Sequence, residues 1–347
     1  MNGNMKTEKV AVIIAVMLIS MVIIGEVAVH TQTNRYSSSA SVDGDILSYS
    51  ISGKGSNNYS VIVTDGMERL DALYIYYDTS YGTALGDSSA AVGARPLTLD
   101  YYVQQLVNVL RSRGVTNVTM LGADELAARM TADTVPTGLV VLSGALPATI
   151  YSGLGSDLIF DWLDKGGRLY WAGNLLGKYI AVPGGVSEVL ANYQGLFFAG
   201  ANGCLNDTGT DVAFSGVGNQ YRDALSLLNN HVRYGVSTNA LTLAGVDHLA
   251  MGYCENGYSS IVFFEHGTKG TICVIGGDHT NDQRTDLAQV IAANLGHSSN
   301  IIGTSKGTFK GSAGSDIDVT AAIGNLSVYM FVGGAYTAYG RLYSFTV

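Results

Sequence analysis

Basic residues are scarce: the chain has 19 Lys and Arg against 28 Asp and Glu in 347 residues, a formal net charge of −9. Nucleic acid is gripped by stripes of Lys and Arg that displace counterions from phosphate, and no such stripe exists here. The composition therefore argues against a nucleic-acid partner, and the acidity serves solubility. Cysteine is rarer still. Three residues, Cys204, Cys254 and Cys273, allow at most one disulfide. Cys204 and Cys254 are the candidate pair, because both stand in loop-like surroundings, whereas Cys273 lies in an apolar run and reads as a buried thiol.

What is abundant points outward. With 47% hydrophobic and 14% charged residues the chain has ample material for a core, and its length suits one large domain or two ordinary ones. The 44 glycines and 21 tyrosines indicate Gly-rich turns and a Tyr/Thr/Ser-rich β surface, a composition commoner outside the cell than in the cytosol. Near the start, Lys6 and Lys9 precede an uninterrupted apolar run over residues 10–25, followed by Glu26 and then Val27, Ala28 and Val29. A helix needs about 20 apolar residues to cross a bilayer core. Lysines before the run and none soon after it place the N-terminus in the cytoplasm. The expectation is a cytoplasmic tail over residues 1–9 and a transmembrane signal anchor over residues 10–29, with the bulk of the chain extracytoplasmic at the cell membrane. A cleaved signal peptide is the alternative. Its apolar region usually spans about 7–15 residues, and here Glu26 occupies the −3 position for cleavage after Ala28.

A polar, Ser-rich stalk over residues 30–41 leads to two β-patterned runs, 45–51 and 59–64, separated by a turn cluster at 53–58. The other end of the chain repeats this texture, with short Tyr/Val/Phe-rich runs at 316–320, 326–332 and 341–347 punctuated by glycine. Two strands alone are unstable in water and need partners. The expectation is one antiparallel β-sandwich built from residues 42–69 plus 298–347, with an α/β domain of mostly parallel sheet, residues 70–297, inserted between them.

The inserted segment is organised around residues 137–176. An apolar run at 138–142, a helical segment at 156–165, a Gly166–Gly167 stop and a second apolar run at 168–172 describe a strand–helix–strand unit whose strands are buried on both faces. Before it come an inner strand at 72–77 ending in Asp78, then a helix capped by Thr98 and stopped by Gly114. That helix carries Leu99, Val103, Leu106, Val107 and Leu110 on one stripe, and a strand follows at 118–121. After it come a helix at 186–193, a Gly/Asn loop at 199–218, a helix at 221–228 and a hairpin of 259–264 with 271–275. A last helix starts at Thr280 with Gln283 as its capping-box partner and presents Leu287, Val290, Ile291 and Leu295 to the sheet.

Ligands of open α/β sheets bind at the carboxyl edge of the strands. The strongest polar constellation there is Asp278, His279 and Asp282, where the chain leaves the last inner strand. Asn174, Ser143 and Asp78 follow three other inner strands and would converge on the same edge. The catalytic candidates are thus Asp278 and His279 as acid/base or metal ligands, with Asn174 or Ser143 as polarising groups. The ligand-binding candidates are Asp78, Asn174, Asp278, His279 and Asp282. The competing reading is that Asp278 and His279 satisfy backbone groups at the helix start. Asn206, Asp207 and Asp211 space oxygen donors around Gly209 as a calcium ion would use them, but the remaining EF-hand ligands are missing, and an ordinary polar turn is the simpler reading. Gly303, Ser305 and Gly307 reproduce a hydrolase string without a histidine beyond His297 to serve it. Residues 173–178 fall short of a phosphate loop, since Ala172 stands where the first Gly belongs and Tyr179 where Ser or Thr belongs. No cofactor is expected. Sequons at Asn58, Asn117, Asn206 and Asn325 fit an exported surface.

The run Leu139, Val140, Val141, Leu142, Ser143 and Gly144, followed by residues 159–170 with their Gly166–Gly167 stop, resembles class I glutamine-amidotransferase-like domains of flavodoxin-like fold between their third and fourth strands. In outline the resemblance covers residues 70–297. Active members of that family place a Gly-x-Cys-x-Gly elbow after the fourth strand and a His-x-Glu after the last. Here the elbow region is Ala172, Gly173, Asn174, Leu175, Leu176 and Gly177, and the last strand leads into Asp278, His279, Thr280 and Asn281. The resemblance therefore implies a domain lacking nucleophile and acidic partner, a pseudoenzyme acting in binding or envelope interaction with a glycan, a peptide or a neighbouring envelope protein. The flanks at 42–51 and 60–65, with Gly307, Thr308 and Phe309, are similar to the opening and close of GOLD or emp24-type β-sandwich modules.

Overall fold

The computed structural model describes residues 38–43, 46–51, 58–65, 70–85, 97–112, 115–134, 136–198, 200, 205–206, 212–216, 220–225, 227–276, 281–292, 301–308, 315–320, 326–333 and 341–346. In chain order the first elements are strands β1 (Ser38–Asp43), β2 (Ile46–Ile51), β3 (Asn58–Asp65) and β4 (Ala72–Tyr76), helix α1 (Leu97–Ser112), β5 (Val118–Leu121), α2 (Ala123–Ala132), β6 (Thr137–Val141) and β7 (Leu146–Pro147). They are followed by α3 (Leu158–Asp164), β8 (Arg168–Trp171), β9 (Tyr179–Val182), β10 (Gly185–Glu188), α4 (Tyr193–Phe197), β11 (Leu205–Asn206), β12 (Val212–Ala213), α5 (Gln220–Leu225), β13 (His231–Val232) and β14 (Gly235–Ser237). The remainder is α6 (Thr238–Leu243), β15 (His248–Ala250), β16 (Cys254–Glu255), β17 (Tyr258–Ser259), β18 (Ile261–His266), β19 (Gly270–Ile275), α7 (Asn281–Ala292), β20 (Ile301–Thr308), β21 (Ser315–Thr320), β22 (Leu326–Gly333) and β23 (Arg341–Thr346).

The central sheet has seven strands in the order β15-β18-β19-β8-β6-β4-β5. Strands β5, β4, β6, β8 and β19 are mutually parallel, while β18 and β15 extend the sheet as antiparallel neighbours of β19. Numbered by appearance in the chain, the parallel strands stand in the doubly wound order 2-1-3-4-5. Successive side chains of a strand point to opposite faces, and both faces here are covered. Tyr74, Tyr76, Leu139, Val141, Leu169, Trp171, Ile272 and Val274 pack on one face with Leu126 and Met130 of α2 and Ile159, Trp162 and Leu163 of α3. Leu73, Ile75, Val140, Tyr170, Cys273 and Ile275 pack on the other with Val103, Leu106 and Leu110 of α1 and Leu287, Val290 and Ile291 of α7. The expected runs of apolar residues without polar alternation are thus strands buried on both sides.

The Gly166–Gly167 stop has two separate causes. Gly166 takes φ 102°, a backbone region that disfavours side chains. A side chain at Gly167 would collide with the ring of Trp162, which lies over it. Trp162 Nε1 donates to Thr137 Oγ1 at 2.9 Å, and both Thr137 Oγ1 (2.9 Å) and the Tyr74 hydroxyl (3.1 Å) donate to the carboxylate of Asp133. This chain of bonds ties α3, β6, β4 and the end of α2 together.

Three expectations need correcting. Residues 186–193 were expected as a helix, but residues 185–188 form β10, the second arm of a hairpin with β9. Pro183 and Gly184, the latter at φ 73°, make its two-residue turn, and β-branched Val186 suits a strand. Helix α1 begins at Leu97, so Thr98 stands inside its first turn instead of capping it. Helix α2 was not foreseen, although Asp124 and Glu125 in the first turn and Leu126 and Met130 one turn apart are its signals. The last helix does follow β19. Its Gln283, however, donates to the carbonyls of Ile275 and Gly276 rather than reaching back to its own cap.

Strands from the two ends of the chain share two further antiparallel sheets, ordered β1-β2-β21 and β20-β3-β22-β23. Ile46 to Ile51 face Thr320 to Ser315 in register, and β3 lies between β20 and β22 along its length. Gly303, Ser305 and Gly307 are part of β20, paired with Val63, Val61 and Tyr59, so the hydrolase-like string lies in a ladder and not at an elbow. Helix α5 packs against β3 and β22. Among the described residues no helix is long and apolar enough to cross a membrane. Residues 10–29, expected as the anchor, lie outside the described residues.

Two outcomes follow from this arrangement. Deleting residues 301–347 removes every partner of β3 and one neighbour of β2, so limited proteolysis should open residues 38–65 while residues 97–292 stay protected. Persisting protection of 38–65 would contradict the pairing. The second concerns pH. Burial, then the bond and charge of Asp133, push the Tyr74 phenol up to about 12, and burial pushes Tyr170 up to about 12 against the opposing pull of Arg168. Both values exceed the ordinary 10.0. The associated stability is therefore complete below pH 10 and is lost as pH rises through 12. Absorbance titration should show these phenols ionising after the exposed tyrosines, and Tyr74→Phe should reduce the alkaline loss of stability. Ionisation of all tyrosines together near pH 10 in the folded protein would refute it.

Candidate functional site

The direction in which crossovers leave the sheet reverses between β4 and β6, and that switch point opens a crevice at the carboxyl edge in doubly wound folds. Asp78, Ser143 and Asn174 leave β4, β6 and β8 at this edge, as expected from their positions. Their side chains have specific local tasks. The Asp78 Oδ2 accepts from the Ala123 backbone N–H at 2.9 Å, in the first turn of α2, and its Oδ1 accepts from the Ser80 N–H (2.8 Å) and hydroxyl (2.7 Å). A carboxylate at a helix N-terminus satisfies an otherwise orphan donor and complements the helix dipole. Ser143 is 2% exposed and its hydroxyl donates to the Ala145 carbonyl at 2.8 Å. Asn174 is 5% exposed; its Oδ1 accepts from the Leu175 N–H at 2.7 Å, and its carbonyl accepts from Trp171 Nε1.

The crevice is filled by the chain itself. Residues 80–85, following the Asp78 turn, run across it as a strap. The Ala84 N–H donates to the Ser143 carbonyl at 2.8 Å, the Gly82 N–H to Val182 at 3.1 Å, and the Gly184 N–H to Ser80 at 2.8 Å. Tyr81 forms an antiparallel bridge with Pro183 in the β9–β10 turn. Within the strap Thr83, Ala84 and Leu85 are buried. The approach is so close that side chains are excluded: one at Gly144, which takes φ 69°, would collide with the Ala84 carbonyl, and one at Gly173 would meet the Gly144 backbone. Burial, with the Asp124 and Asp78 carboxylates nearby, raises the Tyr81 phenol.

Further along the same edge, at the end of β19, lies a second polar cluster that the sequence did not announce. Asp286 of α7 is 0% exposed, and its carboxylate accepts from the N–H groups of Leu228 (2.9 Å) and Asn229 (2.6 Å). The buried Asn229 amide donates to the Gly276 carbonyl at 3.1 Å, and its carbonyl accepts from Ser260 Oγ at 2.9 Å. Gln283 donates to the same Gly276 carbonyl at 2.8 Å. The loop at 227–230 is thereby locked over the end of β19 by α7 and by Ser260, just before β18. The only local signal was that Gln283 and Asp286 stand three residues apart, on one helix face, beside apolar Leu287.

The structure brings Ser143, Gly144 and Asn174 together beneath the strap and turns Asp78 toward α2. Asp278 and His279 lie outside the described residues, and Asp282 lies in α7 with its side chain not among those described. Asn206 belongs to β11, while Asp207 and Asp211 fall outside. Among the described residues no group of three His, Cys, Asp or Glu side chains is arranged to hold a metal ion. Cys254 is exposed, Cys273 is a buried thiol whose titration burial pushes well up, and Cys204, its companion in the expected pairing of Cys204 with Cys254, is outside the described residues. Comparison with known protein families, with curated proteins and with solved structures finds no match.

Removing the Asp286 carboxylate leaves the buried Asn229 N–H and the part-buried Leu228 N–H without their acceptor. Asp286→Ala should cost about 3 kcal/mol, read as a lower urea midpoint, with Asp286→Asn recovering part of it. An unchanged midpoint would remove the lock from the structure's account.

Proposed function

We propose that the chain is a membrane-anchored, extracytoplasmic surface protein. Its amidotransferase-like α/β domain serves in binding or envelope interaction instead of catalysis. The observation that carries this reading is the state of the carboxyl edge, where Asp78, Ser143 and Asn174 bond neighbouring backbone and residues 80–85 cross the crevice. A hydrolytic site needs a nucleophile or activated water beside a base, with space for the scissile bond. Ser143 and Asn174 sit beneath the strap, bonded to Ala145 and Leu175. The position after β8, where active amidotransferases place cysteine, holds Asn174. The 2-1-3-4-5 order of the parallel strands supports the flavodoxin-like resemblance. The apolar run over residues 10–29 supports the anchor, and the two antiparallel sheets shared by the chain ends support a sandwich of residues 42–69 plus 298–347 beside the membrane. Glycans, peptides and neighbouring envelope proteins are the partner classes such a domain would meet.

The test is an assay of amidase, glutaminase and esterase turnover by the full chain in membranes, beside a His279→Ala variant. The expected result is indistinguishable background rates for both, with the chain resisting alkaline extraction from the bilayer. Turnover that His279→Ala abolishes would replace this reading with that of an extracytoplasmic hydrolase using Asp278 and His279.

A further inference from the structure

We propose that the crevice between β4 and β6 is a niche for an extended peptide, which the chain occupies with its own residues 81–85. This rests on the reading of the domain as an interaction module and names its ligand class. The strap is held by a series of main-chain bonds. Its Ala84 N–H meets the Ser143 carbonyl, its Gly82 N–H meets Val182, its Ser80 carbonyl receives Gly184, and Tyr81 bridges Pro183 as one strand bridges another. Such bonding accepts any extended segment in which residues of the right size fall at the right places, which is how sheet edges capture peptides in trans.

Size is the selective element. A side chain at Gly82 would run into the Gly185 backbone, so that place takes glycine alone. Ala84 is wholly buried with its carbonyl against Gly144, so a small residue is required there. Leu85 is buried on the opposite side of the sheet from Ala84, anchoring the far end. The niche therefore suits a segment with glycine at the first place, a small residue two places on and a large apolar residue directly after it. It offers little to a charged small molecule, because the Ser143 hydroxyl and the Asn174 amide oxygen already serve neighbouring backbone groups.

The chain supplies its own reporters. Cys254 is exposed and Cys273 is buried in β19, giving fast and slow references for thiol labelling read peptide by peptide. A Ser143→Cys substitution in the full chain adds a fourth cysteine, placed beneath the strap. With the strap in place this thiol should label as slowly as Cys273. Adding Gly82→Val, which drives the strap from the β9–β10 turn, should speed it by roughly tenfold or more while Cys273 stays slow. A synthetic peptide of residues 79–85, added in trans, should restore the protection. Labelling as fast as Cys254 before the strap is disturbed would mean an open crevice and overturn the proposal. Acceleration at Cys273 together with the new thiol would make the strap an inseparable part of the core, and failure of the peptide to protect would remove the niche. None of these outcomes depends on catalysis, so a hydrolase activity would be recognised independently by the turnover assay.

Discussion

A parallel sheet satisfies its backbone internally but leaves two apolar faces, and everything else in this domain answers that requirement. Strands β6, β8 and β19 are buried along their whole length, so neither face tolerates water. Helices α2 and α3 close one side and α1 and α7 the other. The burden falls on large side chains: Trp162, Trp171, Tyr170 and Phe263 are among the largest fully enclosed groups. Truncating an aromatic of this kind typically costs about 3–5 kcal/mol, because the surroundings only partly collapse into the space left behind. The network from Trp162 through Thr137 to Asp133 and Tyr74 adds direction to that burial, since it fixes how the helices sit at the amino edge.

The terminal strands answer a different constraint. A two- or three-stranded ribbon exposes its edges and cannot bury a face by itself. Here β3 finds both neighbours at the far end of the chain, in β20 and β22, and β2 finds β21. Helix α5 adds a physical link, because it packs on β3 and β22 while its Leu225 is buried in the core beneath the central sheet. Arg222 of α5 also donates to the Tyr253 hydroxyl at 2.9 Å and lies over its ring.

At the carboxyl edge, close backbone approach matters more than side-chain chemistry. Gly144, Gly173 and Gly82 each stand where a Cβ would strike main chain, so three segments of backbone pack where other doubly wound sheets leave a crevice. The polar residues nearby serve that packing. Ser143 and Asn174 turn their oxygen atoms to adjacent backbone, and Asp78 steadies both the turn before the strap and the start of α2. Among the described residues this edge is shaped by close backbone contact.

The sequence by itself determined the inner strands, the α1 stripe, the β18–β19 hairpin and the sharing of strands between the chain ends, because each rests on a local period or on the need of a short ribbon for partners. It also placed Asp78, Ser143 and Asn174 at the strand ends, which is a matter of counting along each strand. It misjudged residues 186–193, where Val186, Val189 and Leu190 fit a helical period as well as a strand, and only pairing with Tyr179–Val182 settles the choice. Tertiary structure alone decided what the edge residues do. The polar character of Ser143 and Asp286 suggests solvent or chemistry, yet both are buried, because Ala84 and Leu228, each far away in sequence, bring backbone to them. Periodicity records which face of an element is apolar; it carries no information on which distant segment will cover a strand end, and that pairing is set by the packing of the whole chain.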